Sequence, residues 1–335
     1  MKPLIHFEDG RTRPDVFRIT PARVAAARSR NRTASSLVKV SCGTDLEEIG
    51  DWLARASGLV CSSATLLSPK FPLRTLAASA PRLAWIHVIG AGVESLMPLD
   101  WIHPGLRLTN NSGVHVKKVY EFGLMSLLML NARVPQIFSQ QVRGEWKPQF
   151  TGSPKGKTLL VVGLGDMGGA MAKAGRTLGM RVFGIRRTPE PHPHAEKVHA
   201  PRDLHRLLAR ADVVVVATPL TPDTRHVIGE RELGLMKPGA GLINIGRGPV
   251  LDQAAVEKAL RSGRLAGAIL DVFDPEPLPA GHTLWSAPNV YLSPHCSSDD
   301  NDEYMPMTLD LAFANAARLA RGRKLANVVD PARGY

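Results

Sequence analysis

Short apolar runs alternate with stretches of helical periodicity along most of this chain. The opening MKPLIHFEDG reads as a first strand. Leu37–Val40 reads as a strand, Asp45–Ala56 as a helix, Gly58–Cys61 as a strand, Phe71–Ala78 as a helix and Leu83–Val88 as a strand. Such alternation predicts parallel strands joined by helical crossovers. A helix follows from about Lys117 to Arg133. It is apolar nearly all round, which predicts burial between layers.

A second series opens with the strand Thr158–Val162, a glycine-rich turn and a helix to about Leu178. Arg181–Ile185, Asp212–Ala217, Gly241–Ile245, Ala266–Val272 and Val290–Ser293 continue it as strands. Asp203–Ala209 and Ala254–Arg261 read as helices, and Gly263 falls where a helix C-cap glycine belongs. A last helix runs from about Met307 to Ala320. The stretch Arg143–Lys157 holds Pro148, Gly152, Pro154 and Gly156, and reads as the connection into the second series.

Composition adds bounds to this picture. A chain of 335 residues, 44% hydrophobic, has room for two domains with real cores. The start lacks the apolar core of a secretory signal. The most apolar helical run, Val119–Leu130, is too short to span a bilayer. Three widely spaced cysteines, Cys42, Cys61 and Cys296, form no metal or redox pair and fit a cytoplasmic protein. The net charge of +12 comes mostly from dispersed basic residues, with denser groups at Arg18–Arg32 and Arg318–Lys324. No nucleic-acid-binding motif accompanies them. They read as a solvated surface or, as the alternative, as an electrostatic pull on anionic substrates and phosphates, with neither nucleic acid nor membrane expected as partner. His192 and His194, in a proline-rich loop, read as solvated residues and not as a metal site.

The chemistry starts at Gly163-Leu-Gly165-Asp166-Met167-Gly168. This glycine pattern follows an apolar strand and opens a helix, the context a dinucleotide turn requires. The first glycine permits the tight turn, the second the approach of a pyrophosphate, and the third close helix–strand packing. The next strand ends in Arg186-Arg187-Thr188, with no acidic residue to hold a ribose hydroxyl. Two guanidinium groups and a hydroxyl suit a 2′-phosphate, so NADP(H) is favoured over NAD(H). Beyond the carboxyl ends of later strands, where ligands bind in an open parallel sheet, lie Thr218, Pro219, Arg247, Asp271, Glu276 and His295.

These motifs in this order resemble the D-isomer-specific 2-hydroxyacid dehydrogenases. The resemblance is carried by Ile243-Asn-Ile245-Gly246-Arg247-Gly, Asp271-Val-Phe-Asp-Pro-Glu276-Pro, Ser293-Pro-His295, Ala217–Thr224 and Gly90-Ala91-Gly92-Val93. It implies two doubly wound α/β domains, a Rossmann coenzyme domain at 113–299 inserted in a flavodoxin-like substrate domain at 1–112 and 300–335. It implies reduction of a small 2-keto acid of the glyoxylate or hydroxypyruvate kind to the D-2-hydroxy acid. Arg247 would anchor the substrate carboxylate and polarise its carbonyl, His295 would give the proton, and Glu276 would orient the imidazole and favour its charged form. Backbone N–H groups of Ala91 and Gly92 would hold the substrate carboxylate. Thr218, Pro219, Ile245, Gly246, Asp271 and Ser297 would line the coenzyme, with Asp271 on the nicotinamide amide. Tyr304 would line the substrate mouth or serve in packing.

A homodimer built on the coenzyme domain is also implied. Alternatives are an NAD-linked enzyme for a bulkier D-2-hydroxy acid and a nucleotide-sensing corepressor. Gly246 and Cys296-Ser297-Ser298 depart from the commoner pattern. Cys296 lacks the oxyanion loop of a thiol nucleophile.

Overall fold

The computed structural model describes residues 1–10, 14–43 and 52–335, and the chain divides into two compact units. One unit comprises Met1–Val114 with Asp300–Tyr335, the other His115–Asp299.

In the first unit the strands are β1 (Leu4–Glu8), β2 (Lys39–Gly43), β3 (Gly58–Cys61), β4 (Trp85–Val88) and β5 (Arg107–Thr109). They form one parallel sheet in the order β2-β1-β3-β4-β5. This is the flavodoxin-like order, whose direction reverses beside β1. Alternate residues feed two cores. Leu59, Cys61, Ile86 and Val88 serve one, and Ile5, Phe7, Val60 and Trp85 serve the other, closed by Leu309, Phe313 and Ala316 of the helix Tyr304–Ala320. Residues 45–51 of the expected helix 45–56 lie outside the described residues. The helix expected over Phe71–Ala78 is a 3-10 turn at Leu73–Thr75 and one short helix at Leu76–Ser79.

The basic group Arg18–Arg32 contains the helix Pro21–Arg30. Thr20 caps it, accepting the Arg23 N–H at 3.2 Å, and proline opens it. Much of its charge is paired inside the unit: Arg18 with Asp9 at 3.1 Å and Arg30 with Asp310 at 2.9 Å.

Two buried imidazoles set this unit's response to acid. His6 stacks on Trp52 at 3.9 Å between ring centroids, and His87 bonds Thr109 through Nδ1. Burial drives both down to about 4. Between pH 6.5 and about 4, therefore, the unfolded chain binds protons that the folded chain refuses. Each histidine then removes about 1.4 kcal/mol of stability per pH unit as the pH falls through that window. The melting temperature is expected to drop between pH 7 and pH 5, and His87→Gln to make the drop shallower. Equal drops in both proteins would rule out this account of His87.

In the second unit the strands are β6 (Thr158–Val162), β7 (Arg181–Ile185), β8 (Lys197–His199), β9 (Val213–Val216), β10 (Ala240–Asn244), β11 (Leu265–Leu270) and β12 (Val290–Leu292). Their order is β12-β11-β10-β9-β6-β7-β8, all parallel. This is the doubly wound Rossmann order with a seventh strand, and it switches direction between β6 and β9. Leu160, Val162, Val214 and Leu242 face one core while Leu159, Val161, Val215 and Ile243 face the other. Coverage on both faces is why these strands read as continuous apolar runs.

The helix Val116–Asn131 buries Val119, Gly123, Leu127 and Leu130 against the helix Asp166–Thr177 and the sheet. It is not buried all round, because Met125 and Leu128 are exposed. No helix of the described residues is long and apolar enough to cross a membrane.

Candidate active site

The β6 turn stands at the switch point. Gly163 has φ +95°, and a Cβ there would come within 2.7 Å of the Ala217 carbonyl at the end of β9. At Gly168 a Cβ would lie 2.0 Å from the Gly163 carbonyl oxygen. Only glycine allows this strand, turn and helix to meet so closely. Gly165 faces open space, with Asp166 and Met167 opening the helix behind it. The Thr218 hydroxyl is buried, and no described residue bonds it. An open cradle at a helix N-terminus beside an unspent hydroxyl fits a dinucleotide phosphate. Arg186, Arg187 and Thr188 follow β7 and are exposed, with Arg186 3.5 Å from Glu190.

Arg247 is held by its own loop. Asn244, fully buried at the end of β10, donates through Nδ2 to the Arg247 carbonyl at 3.0 Å. Its Oδ1 accepts the Gly246 N–H at 3.0 Å, and the Arg247 guanidinium donates to the Gly246 carbonyl at 2.7 Å. Ile245 and Gly246 are buried in this turn. A Cβ at Gly246 would stand 2.7 Å from the Thr218 carbonyl oxygen, so the residue is small because two strand ends touch.

Glu276 and His295 form a pair. Glu276 Oε1 accepts the Phe273 N–H at 2.8 Å, and Oε2 lies 2.9 Å from His295 Nδ1. His295 has φ +51°, a left-handed conformation uncommon outside glycine. Its N–H donates to the Asp271 carbonyl at 2.9 Å. The Asp271 side chain, 1% exposed, accepts from the Ser293 hydroxyl at 2.6 Å and from the N–H groups of Cys296 and Ser297 at 3.0 and 3.1 Å. The carboxylate is thus the anchor of the loop that carries the histidine. With Nδ1 engaged, Nε2 is the ring nitrogen left for chemistry.

Cys296 is exposed, and its thiol is pushed up by partial burial and by the carboxylates of Asp271 and Asp299. That shift opposes a thiolate.

Sequence reasoning passed over Asn244 and His115. His115 is buried at the start of the helix Val116–Asn131, its Nδ1 3.3 Å from the Ser298 carbonyl. Burial lowers it, and the positive charges of Arg247 and His295 act in the same direction. A polar residue inside the apolar run Gly241–Ile245 was the signal the sequence held for Asn244; His115 had none.

In the first unit, the loop after β4 holds Ala91 and Gly92. Ala91 accepts from the Asn110 amide at 2.7 Å, and among the described residues no backbone carbonyl takes either residue's N–H. Tyr304 is buried and donates its hydroxyl to the Ile89 carbonyl. It buttresses this loop.

The doubly wound sheet with its glycine turn is that of a dinucleotide-dependent oxidoreductase. Residues 124–297 match the model of the D-isomer specific 2-hydroxyacid dehydrogenase NAD binding domain. A glyoxylate reductase of Aeropyrum pernix is 34% identical over 79% of this chain and 82% of its own length. Another, of Thermococcus gammatolerans, is 38% identical over 66% of this chain and 68% of its own. A D-isomer specific 2-hydroxyacid dehydrogenase of Xanthobacter autotrophicus, solved in complex with NADPH and MES, superposes with a TM-score of 0.81 at 28% identity and covers all of both chains. The chain belongs to the D-isomer-specific 2-hydroxyacid dehydrogenases, oxidoreductases that act on CH–OH donors.

Proposed function

We propose that this enzyme uses NADP(H) to reduce a small 2-keto acid, of the glyoxylate or hydroxypyruvate kind, to the D-2-hydroxy acid. The observation that carries the reading is the 2.9 Å Glu276–His295 contact, which leaves one imidazole nitrogen open beyond the sheet. The glyoxylate reductases among the relatives support the substrate class. The exposed Arg186 and Arg187, and the NADPH bound by the Xanthobacter protein, support the coenzyme preference.

In this reading the unit His115–Asp299 serves the coenzyme and the other unit serves the substrate. Gly163, Gly165, Asp166, Met167 and Gly168 take the pyrophosphate, and Arg186, Arg187 and Thr188 the ribose phosphate. Thr218, Pro219, Ile245, Gly246 and Ser297 line the nicotinamide side. Asp271 Oδ2 accepts one N–H, which leaves a lone pair for a carboxamide donor.

When bound, the reduced nicotinamide supplies a hydride to the keto carbon. Arg247 binds the substrate carboxylate and polarises the carbonyl. In the other unit, Ala91 and Gly92 offer N–H donors of the kind that bind a carboxylate. His295 gives the proton from Nε2 to the forming alkoxide, while Glu276 keeps the ring turned by holding Nδ1. The test is a panel of 2-keto acids assayed with NADPH and NADH. The largest kcat/KM is expected with a two- or three-carbon acid and NADPH. A higher value with NADH, or with a bulky branched acid, would sink the corresponding half of the proposal.

The homodimer belongs to the same proposal. Met125, Leu128, Ile137, Phe138 and Val142 are exposed on neighbouring helices of one unit, and Trp146 and Phe150 just beyond are 96% and 92% exposed. An apolar surface of this kind calls for cover. Sedimentation at micromolar concentration is expected to give a dimer and Trp146→Glu to weaken it; a monomeric wild type would refute the assignment.

A further inference from the structure

The loop after β7 carries a histidine whose surroundings differ from open solvent. His192 is half-buried, and its ring edge rests over Gly169. A Cβ at Gly169 would stand 3.0 Å from Nε2 and 3.3 Å from Cε1. Gly169 is the fourth residue of the helix Asp166–Thr177, so the imidazole lies on the first turn of the dinucleotide helix. Its other nitrogen is engaged, because Nδ1 accepts the N–H of His194 at 3.2 Å. An accepting Nδ1 puts the proton of a neutral imidazole on Nε2. Partial burial, then the charges of His194 and Arg186, lower His192 and keep the ring neutral near pH 7.

The Nε2–H is thus a fixed donor placed at a helix end that itself presents only N–H groups. Among the described residues no acceptor takes it. Arg186 is near enough to act on the ring electrostatically, and it opens the loop from which His192 comes.

We propose that His192 is a specificity-determining residue, a donor to the 2′-phosphate of the coenzyme's adenosine ribose alongside Arg186 and Arg187. This rests on the NADP(H) reading above. The phosphate is assigned to the ribose and not to the pyrophosphate because the loop grows from β7, next to Arg186, whereas the pyrophosphate has the Gly163–Gly168 turn. Arg186 would exchange its exposed contact with Glu190 for the phosphate.

The test is equilibrium binding, by fluorescence or calorimetry, of NADPH, NADH, 2′,5′-ADP and 5′-ADP. His192→Leu is expected to weaken NADPH and 2′,5′-ADP about tenfold, the effect of one hydrogen bond to a charged group, and to leave NADH and 5′-ADP within about twofold. His192→Gln keeps an N–H donor and should recover most of the loss. Gly169→Ala pushes the ring by a few tenths of an ångström and should give an intermediate loss for the same two ligands. Equal losses for all four ligands, or none, would overturn the proposal. Its failure is separable from that of the coenzyme reading. If the wild type prefers NADPH and Arg186→Asp abolishes the preference while His192→Leu changes nothing, only His192 falls. A wild type that binds NADH as tightly as NADPH removes both.

Discussion

His295→Gln is expected to lower kcat by about 10²- to 10⁴-fold, the usual range for removal of a general acid. The Kd for NADPH should stay within about twofold, since the glycine turn and the Arg186–Thr188 corner lie on other loops. His295 is fixed through Asp271 and Glu276, and a glutamine can occupy much of that space. It cannot deliver a proton. Stopped-flow reduction at saturating NADPH separates the two quantities. A collapse of NADPH binding in parallel with kcat would mean that the histidine shapes the coenzyme site, and the proton-donor role would go.

Gly248→Ala should be nearly as damaging for a different reason. A Cβ at position 248 would stand 1.8 Å from the Phe273 carbonyl oxygen and 2.0 Å from its carbon. Both neighbours are backbone, so no side chain can swing aside. The contact joins the loop of Arg247 to the loop whose Phe273 N–H holds Glu276. Forcing them apart moves the arginine relative to the Glu276–His295 pair. Overpacking of this kind costs about 1–3 kcal/mol, and sub-ångström misplacement of reacting groups costs rate steeply. We expect kcat/KM to fall more than about 100-fold together with a lower melting temperature. Wild-type values of both would show that the loops tolerate separation.

Much of the architecture was legible because buried parallel strands are apolar on both faces. β6, β7, β9, β10 and β11 therefore stand out as runs bounded by glycine or charge. β5 and β8 did not, since Arg107–Thr109 and Lys197–His199 are three-residue edge strands with too few positions to show a period. The helix Pro21–Arg30 was hidden by its arginines, whose carboxylate partners lie outside it, as with Asp15 for Arg23 and Asp310 for Arg30. The helix Val116–Asn131 reads as enclosed because composition does not tell a core-facing leucine from an exposed one such as Leu128.

At the site, residue types and order pointed to Arg247, Glu276 and His295. How they are held was not readable. The Asn244 brace, the left-handed turn at His295 and the burial of His115 arise only when distant strand ends meet. His192 is the sharpest case. A histidine between two prolines gives no hint that its ring lies on a helix begun 26 residues earlier.

Asp271 has a consequence for how such an enzyme can change. It ties the histidine's loop to the same sheet that carries the glycine turn, within the unit His115–Asp299. On the proposed roles, proton delivery and coenzyme holding are inherited together. The loop Gly90–Val93 and its buttress Tyr304 belong to the other unit. On the same proposed roles, drift there would retune which acid is accepted while the reaction itself is passed on intact.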